Sequence, residues 1–237
     1  MRAVGIIGFS EAGKTSVVED LIKHLRERGY RVHTAKHSVH EINPDKDTER
    51  HFAMGAEKVV GVDPKLFHIL QMKGDLWREL MGCDFAVLEG FKKMKGFLKV
   101  LVAQKEEDLK LVDDYTFLVT GNEELKVKAE KLGAVFIKDS EKLYARIESC
   151  AFRRLPETNC KRCGRQKCSQ LAREIFEGKA KDHECAYLTD KVALEVDGKS
   201  ITLSPFVQDV VDKTVRGLVG TLKNGQGKEI KLELRQV

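Results

Sequence analysis

Phosphate binding is the chemistry that the first residues of this chain suggest. In the stretch GFSEAGKTS, four residues separate Gly8 from Gly13, and Lys14 and Thr15 follow directly. Glycines let the backbone wrap closely around an anion, and the dipole of a helix that begins there favours the same charge. We expect Lys14 to reach the β- and γ-phosphates of a nucleotide and the Thr15 hydroxyl to bind Mg²⁺. The predicted nucleotide-binding residues are Gly8, Phe9, Ser10, Glu11, Ala12, Gly13, Lys14, Thr15 and Ser16.

A carboxylate that could hold this metal follows the apolar stretch FAVL, at Glu89. An acid at the end of a strand beside a phosphate loop binds Mg²⁺ through water or orients an attacking water, so Glu89 and Lys14 are the predicted catalytic residues. The alternative for Glu89 is a solvated acid at a strand end. Asp47, in the loop after the second predicted strand, is a further candidate for magnesium, and a solvated loop acid explains it equally well. We interpret Asn122 as a helix cap rather than a contact to the base.

Metal binding by thiolates is the second chemistry. Cys160, Cys163, Cys168 and Cys185 are separated by two, four and sixteen residues. Four thiolates bind either zinc or an iron–sulfur cluster. The gap of four residues fits a zinc ribbon poorly, because those sites use two close pairs of cysteines. Zinc, and the absence of any metal, remain alternatives.

The elements that must position these residues alternate between strands and helices through residue 150. This pattern is typical of an α/β P-loop NTPase, whose mostly parallel sheet is covered by helices and whose ligand lies at the carboxyl ends of the strands. Beyond residue 150 the pattern changes: FRRLPETN is typical of a linker. A hairpin, a helix after Ser204 and a final strand in KEIKLELR are expected to follow the cysteines. The predicted domains are residues 1–150, which bind nucleotide, and residues 151–237, a small α+β domain with the four-cysteine metal site.

Composition narrows the classes of function. The 237 residues carry a net charge of +5, and all of that excess lies in residues 151–237, which hold 17 Lys and Arg against 12 Asp and Glu. No apolar run approaches the roughly 20 residues that span a bilayer, so no membrane partner is expected. We see no secretory signal, and we expect a cytoplasmic protein whose clustered cysteines bind metal rather than form disulfides.

Four stretches within residues 1–147, taken in order, resemble the MobB family of molybdopterin guanine dinucleotide biosynthesis. They are GFSEAGKTS, RGYRVHTAKHSVH, DKDTERHFAMGA and VLEGFK. The resemblance implies a protein that binds GTP, hydrolyses it slowly at most, forms a homodimer, and assists a separate nucleotidyltransferase that joins GMP to molybdopterin. Four residues near the predicted strand ends are then candidates for contacts to phosphate or to the pterin cofactor, since their side chains suit an anion: Lys36, His37, Arg50 and Lys92.

The cysteine segment resembles the [4Fe-4S] domain of corrinoid iron–sulfur proteins and of a subunit of bacterial electron-transport complexes. The shared features are the run from Cys160 to Cys168, with Gly164 inside it, a helix, and the distal Cys185. The resemblance implies a [4Fe-4S] cluster on the four cysteines, with zinc as the alternative. We expect nearby basic residues to offset the negative charge of such a cluster: Arg162, Arg165 and Lys167.

Three functions are compatible with these features. The first is a GTP-binding accessory protein for the molybdenum or tungsten cofactor, which helps to attach GMP to molybdopterin and in which the cluster domain docks to the cofactor machinery or to a molybdenum or tungsten enzyme. The second is a GTPase metallochaperone that inserts nickel or cobalt. The third is a nucleic-acid-binding NTPase with a zinc module, which only the basic second domain supports. The first hypothesis is favoured.

Overall fold

The computed structural model describes most of the chain. The described residues are 1–37, 50–51, 54–55, 58–62, 67–71, 74–188, 192–196, 199–201, 203–223, 225, 227 and 229–234. Asp47, one of the predicted magnesium ligands, lies outside them, as do Asp197 and Gly198, which fall within the expected hairpin.

The main sheet has the strand order β2-β5-β1-β6-β7-β8, and β9 pairs with β1. Its strands are β1 (Arg2–Ile7), β2 (Val32–Lys36), β5 (Phe85–Glu89), β6 (Leu98–Ala103), β7 (Thr116–Gly121), β8 (Val135–Phe136) and β9 (Phe152–Arg153). Strands β1, β2, β5, β6, β7 and β8 are parallel to their neighbours, and β9 is antiparallel to β1. The expectation of a mostly parallel sheet is therefore confirmed.

Helices cover this sheet. They are α1 (Lys14–Glu27), α2 (Leu76–Glu79), α3 (Lys126–Lys131), α4 (Ser140–Cys150), α5 (Cys168–Phe176) and α6 (Pro205–Gly220), with 3₁₀ turns at Glu106–Leu111, Glu123–Leu125 and Asp182–Glu184. Side chains of β1 alternate between its two faces, as a strand requires. Val4 and Ile6 pack with Leu21 of α1 in one cluster, whereas Ala3 and Ile7 belong to two other clusters. None of the described helices is long and apolar enough to cross a membrane.

Residues 152–155 do not form the linker that the sequence favoured. β9 pairs Phe152 with Ala3 and Arg153 with Arg2, and the N–H of Leu155 donates to the carbonyl of Gly96 at 2.7 Å. Leu155 is fully buried. The proline and the polar residues of this stretch favoured a linker. The prediction was wrong because the apolar side chains between them complete the core. Residues of α5 lie in the same core cluster as Val4 and Ile6 of β1, so the cysteine segment packs directly on the main sheet. The division at residue 150 stays a prediction.

Two short hairpins lie outside the main sheet. β3 (Lys58–Val62) pairs with β4 (Phe67–Gln71), and β10 (Leu194–Val196) pairs with β11 (Lys199–Ile201), both antiparallel. Ser204 caps α6 as expected, by accepting a hydrogen bond from the N–H of Val207 at 3.3 Å. The predicted final strand is wrong for the described residues 229–234, which have no strand. The sequence there alternates apolar and polar residues, as a strand with one buried face would. Leu232 and Leu234 are nevertheless exposed, so no neighbouring strand among the described residues buries that face.

Candidate nucleotide site and cysteine site

The backbone of the phosphate loop has the conformation that its glycines allow. Gly8 has a φ of 155°, and a Cβ atom there would lie 2.7 Å from the carbonyl oxygen of Val102 on β6. Gly13 has a φ of 89° and immediately precedes α1. Side chains at these two positions would collide with β6 or strain the turn. The loop therefore passes from the carboxyl end of β1 into the first turn of α1, where free N–H groups favour an anion.

Lys14 bends back over this loop. Its Nζ donates to the carbonyl of Phe9 at 2.6 Å. Burial lowers the pKa of Lys14; Glu89 opposes this effect, and the charges of Lys92 and Lys36 add to it. Three lysine side chains and the carboxylate of Glu89 therefore interact at this loop, and their net positive charge favours a polyphosphate ligand.

The predicted magnesium ligands Thr15 and Glu89 meet across the site. The Thr15 hydroxyl donates to Oε1 of Glu89 at 3.1 Å, and the Nζ of Lys36 lies 3.5 Å from the same oxygen. Glu89 reaches this position because β5 lies between β1 and β2, with Glu89 in register with Ile6 on one side and Lys36 on the other. At 8% exposure, Glu89 is a buried acid that contacts a hydroxyl and a lysine, and the alternative of a solvated strand end does not describe it.

The four cysteines lie at the other end of the sheet. Cys168 begins α5, and the Ser169 hydroxyl is 3.4 Å from Oδ2 of Asp114, two residues before β7. The phosphate loop follows the carboxyl end of β1, whereas this contact is at the amino ends of the parallel strands. The two sites therefore occupy opposite ends of the sheet.

The thiols are neighbours of one another. Burial raises the pKa of the Cys168 thiol, and the nearby Cys160 and Cys163 add to this effect. Burial likewise raises the pKa of Cys185, and Cys168 and Cys163 add to it. The described side chains contain no group of three or more His, Cys, Asp or Glu ligands in the geometry of a single bound ion. Four cysteine thiols in one segment are the donor set that both zinc and iron–sulfur clusters take, so the residue types suit such a group.

Comparison with known proteins identifies the family to which the phosphate-loop part of the chain is similar. The family model described as "Molybdopterin guanine dinucleotide synthesis protein B" (MobB) matches residues 3–120. A "Molybdopterin-guanine dinucleotide biosynthesis adapter protein" from Haemophilus influenzae is 30% identical over 139 residues, which are 52% of this chain and 76% of that protein. This chain belongs to the MobB family.

The likeness to MobB relatives extends to the rest of the chain. A protein of Methanocaldococcus jannaschii named "Putative molybdopterin-guanine dinucleotide biosynthesis adapter protein" is 27% identical over 251 residues, and the match covers 99% of this chain and 97% of that one. A second family model, described as "Putative Fe-S cluster", matches residues 155–187, which include all four cysteines. The crystal structure of Bacillus subtilis MobB, at 23% identity, covers 63% of this chain and 97% of its own with a TM-score of 0.52, and shows the same fold.

Other residues predicted from the MobB resemblance lie at the rim of the nucleotide site. The Nζ of Lys92 is 4.4 Å from the centre of the Phe9 ring, and the N–H of His37 donates to the carbonyl of Glu89 at 2.9 Å. The His37 ring packs edge-on against Phe91. Arg50 is exposed, and the chain between it and β2 lies outside the described residues. The structure thus brings Lys36, His37 and Lys92 to the phosphate loop and leaves Arg50 without a described contact there.

Sequence reasoning missed one residue of this MobB site, Gln104. Its Nε2 donates to the carbonyl of Ala12 at 3.0 Å and so supports the phosphate loop from the end of β6. The backbone carbonyl of Gln104 accepts a hydrogen bond from Nδ2 of Asn122 at 3.2 Å. Asn122 also accepts from the N–H of Glu124, so its interpretation as a cap is confirmed. No local pattern marks Gln104, because only the pairing of β6 with β1 brings it to the loop.

The basic residues of the cysteine segment do not all act as expected. Arg165 was expected to offset the charge of a cluster, but its guanidinium pairs with Glu174 at 2.6 Å and Glu184 at 2.8 Å. Its charge is already balanced by two carboxylates, so Arg165 does not supply free positive charge to the site. Arg162 and Lys167 are exposed.

Proposed function

We propose that this MobB-family protein binds GTP with Mg²⁺ at the phosphate loop and acts as an adapter in the attachment of GMP to molybdopterin. The observation that carries the nucleotide part is the contact between the Thr15 hydroxyl and Glu89, 3.1 Å apart, at the mouth of the loop. A hydroxyl from the loop and an acid from a neighbouring strand are the pair that holds Mg²⁺ in P-loop NTPases. Mg²⁺ held by Thr15 and Glu89 would neutralise negative charge on the phosphates of the nucleotide.

The lysines of the site have separate tasks in this proposal. Lys14 leaves the carbonyl of Phe9 and binds the β- and γ-phosphates, because a phosphate oxygen is a stronger partner for an ammonium than a neutral carbonyl. Lys36 and Lys92, which act electrostatically on Lys14, contact the outer phosphates or the phosphate of the pterin cofactor. His37 and Arg50 remain candidates for the pterin side of the site.

Hydrolysis of GTP is slow in this proposal. Efficient P-loop GTPases use an arginine to stabilise charge on the transferred phosphoryl group, in addition to a residue that orients water. Within the described part of the chain, the cations whose charges act on Lys14 are Lys92 and Lys36, and neither is an arginine. Glu89, the candidate for orienting water, already contacts Thr15 and Lys36. These contacts support a nucleotide-dependent adapter better than an efficient enzyme.

We propose further that Cys160, Cys163, Cys168 and Cys185 hold a [4Fe-4S] cluster, with zinc as the alternative. The donor set of four thiols and the family model for residues 155–187 support this. Such a cluster, when bound, supplies either a one-electron redox centre or a structural cross-link. The partners that follow are a nucleotidyltransferase, molybdopterin or its guanine dinucleotide, a molybdenum or tungsten enzyme, and a second copy of this chain.

Two measurements test the proposal. Calorimetry with Mg²⁺ is expected to show binding of GTP that is tighter than binding of ATP, and Lys14→Ala is expected to abolish it. Lys23→Ala, which removes an exposed lysine from the outer surface of α1, is the matched control and retains binding. Addition of the chain to a reconstituted guanylylation of molybdopterin is expected to raise the yield of the dinucleotide cofactor. Equal or tighter ATP binding contradicts the guanine preference, and an unchanged yield contradicts the adapter role.

A further inference from the structure

Arg165 joins the three chain segments that carry Cys163, Cys168 and Cys185. Its Nη1 donates to the carbonyl of Cys163 at 3.0 Å. Its Nε and Nη2 donate to Oε2 of Glu174 on α5, the helix that begins at Cys168, at 3.0 and 2.6 Å. Its Nη1 also lies 2.8 Å from Oε2 of Glu184, the residue before Cys185.

The chemistry of these contacts suits a rigid junction. A guanidinium presents its donors in a planar fork, so one side chain can hold two carboxylates and a carbonyl in a fixed arrangement. An arginine guanidinium stays charged at any pH that the protein meets. The side chain is only 20% exposed, which weakens competition from water.

The remaining cysteine is held by a different residue. Asn159, which precedes Cys160, accepts a hydrogen bond from the N–H of Cys168 at 2.8 Å. Its φ of 48° is left-handed, a conformation that asparagine tolerates better than most residues. Two side chains that are not cysteines therefore connect all four segments that bear a thiol.

We propose that Arg165 is a positioning residue for the four-cysteine site, which holds Cys163 and Cys185 in place relative to Cys168 before the metal arrives. This inference rests on the proposed metal-binding function of those thiols. A site whose segments are already ordered loses less conformational entropy when the metal binds, so it acquires the metal more readily and releases it more slowly.

The test uses the full chain and three variants. Arg165→Gln removes the junction. Arg165→Lys keeps the charge but replaces the planar fork with a compact ammonium, which cannot hold the same three partners. Arg162→Gln removes the same charge from an exposed residue that adjoins Cys163, and is the matched control. After anaerobic reconstitution, iron and sulfide per chain are measured, followed by the rate at which a chelator removes the iron.

Arg165→Gln is expected to hold less than half of the wild-type iron and to release it about tenfold faster, the effect of losing a hydrogen bond to a charged group. Arg165→Lys is expected to be intermediate, and Arg162→Gln, which removes charge without removing the junction, to lose less iron than Arg165→Gln. GTP binding by each variant shows that the sheet remains folded. If Arg165→Gln does not fold, Arg165→Lys and Glu184→Gln, which keeps the shape of the side chain, decide the question.

The outcomes separate this inference from the metal assignment. Equal iron content and release rates in Arg165→Gln and the wild type overturn the positioning role, as does an equal loss in Arg162→Gln, which would indicate an effect of charge alone. Wild-type protein that holds zinc instead of iron overturns the [4Fe-4S] assignment, and the same variants are then compared by zinc release. Wild-type protein that binds neither metal overturns both.

Discussion

The Thr15 hydroxyl donates a hydrogen bond of 3.1 Å to Glu89, and this contact links the first turn of α1 to the end of β5. The two residues are 74 positions apart in the chain. Their contact brings together the oxygen ligands expected for Mg²⁺ and defines the metal side of the proposed nucleotide site. The first prediction follows from it.

Glu89→Gln is expected to weaken Mg²⁺-dependent GTP binding on the order of tenfold, because the amide keeps the shape of the side chain but loses the charge that attracts the metal. Binding of GTP without Mg²⁺ is expected to stay equal or become tighter, since the variant site is more positive. Calorimetry with and without Mg²⁺ measures both. Glu19→Gln, at an exposed position on α1, is the control. An equal loss of affinity with and without the metal would show that Glu89 has no role in binding it.

Release of phosphate from GTP by the isolated protein is expected to be far slower than the roughly 1–100 s⁻¹ of kinases. The reason is that, among the residues that the structure describes, the cations that act on Lys14 are Lys92 and Lys36 and the acid that acts on it is Glu89. A continuous phosphate assay at saturating GTP measures the rate. Turnover of one per second or faster without a partner protein would refute the proposed slow hydrolysis.

Protein purified without oxygen is expected to be brown and to contain about four irons per chain, the content of one cluster held by four cysteines. Cys163→Ser is expected to remove the colour. Cys83→Ser, the control, changes a buried cysteine before β5 whose thiol donates to the carbonyl of Leu80, a bond that serine can keep. Metal analysis and absorbance near 400 nm provide the measurement. Stoichiometric zinc in colourless protein, even after reconstitution with iron, would show that the segment is a zinc module.

The junction between β9 and the turn before Cys185 is expected to make stability depend on pH. Asp182 accepts hydrogen bonds from the N–H of Arg153 at 3.1 Å and from its guanidinium at 3.2 Å. Burial alone would raise the pKa of Asp182, but these hydrogen bonds and the charge of Arg153 outweigh it and hold the pKa below its ordinary value. A carboxyl with a lowered native pKa contributes stability that is complete above the unfolded pKa, about 4, and is lost as the pH falls through the native pKa.

Asp182→Asn is therefore expected to lower the free energy of unfolding by roughly 1–3 kcal/mol at pH 7, the range for hydrogen bonds to charged groups. The difference from the wild type is expected to shrink as the pH is lowered from 7 toward 3. Urea denaturation across this range measures it, with Glu19→Gln as the control. A difference that stays constant with pH would mean that the charge of Asp182 makes no contribution.

Much of the fold was predictable because strands and helices depend on residues that are near one another in the chain. The run before Gly8 is apolar throughout, so β1 could be placed, and the apolar residues of α1 recur at helical spacing until Gly29. The 3₁₀ and helical turns after Asn122 and the cap at Ser204 also follow from local residue types. The two wrong predictions, the linker after residue 150 and the final strand, share one cause. In each case the outcome depends on whether a short segment pairs with residues that are distant in the chain, and local residue types do not show this.

Residue types and their spacing were enough to identify the groups that could do chemistry: a phosphate loop, an acid at a strand end, and four thiols at spacings that suit a metal. Those patterns are local, since a few neighbouring residues set the backbone conformation that each requires. Which of these groups lie close together depended on how distant segments of the chain pair and pack. The insertion of β5 between β1 and β2 brought Glu89 to Thr15, and the return of the chain after α5 brought Glu184 to Arg165. The same parallel sheet separated the two sites, because the phosphate loop follows the carboxyl end of β1 while the cysteine segment packs against the amino ends of the strands.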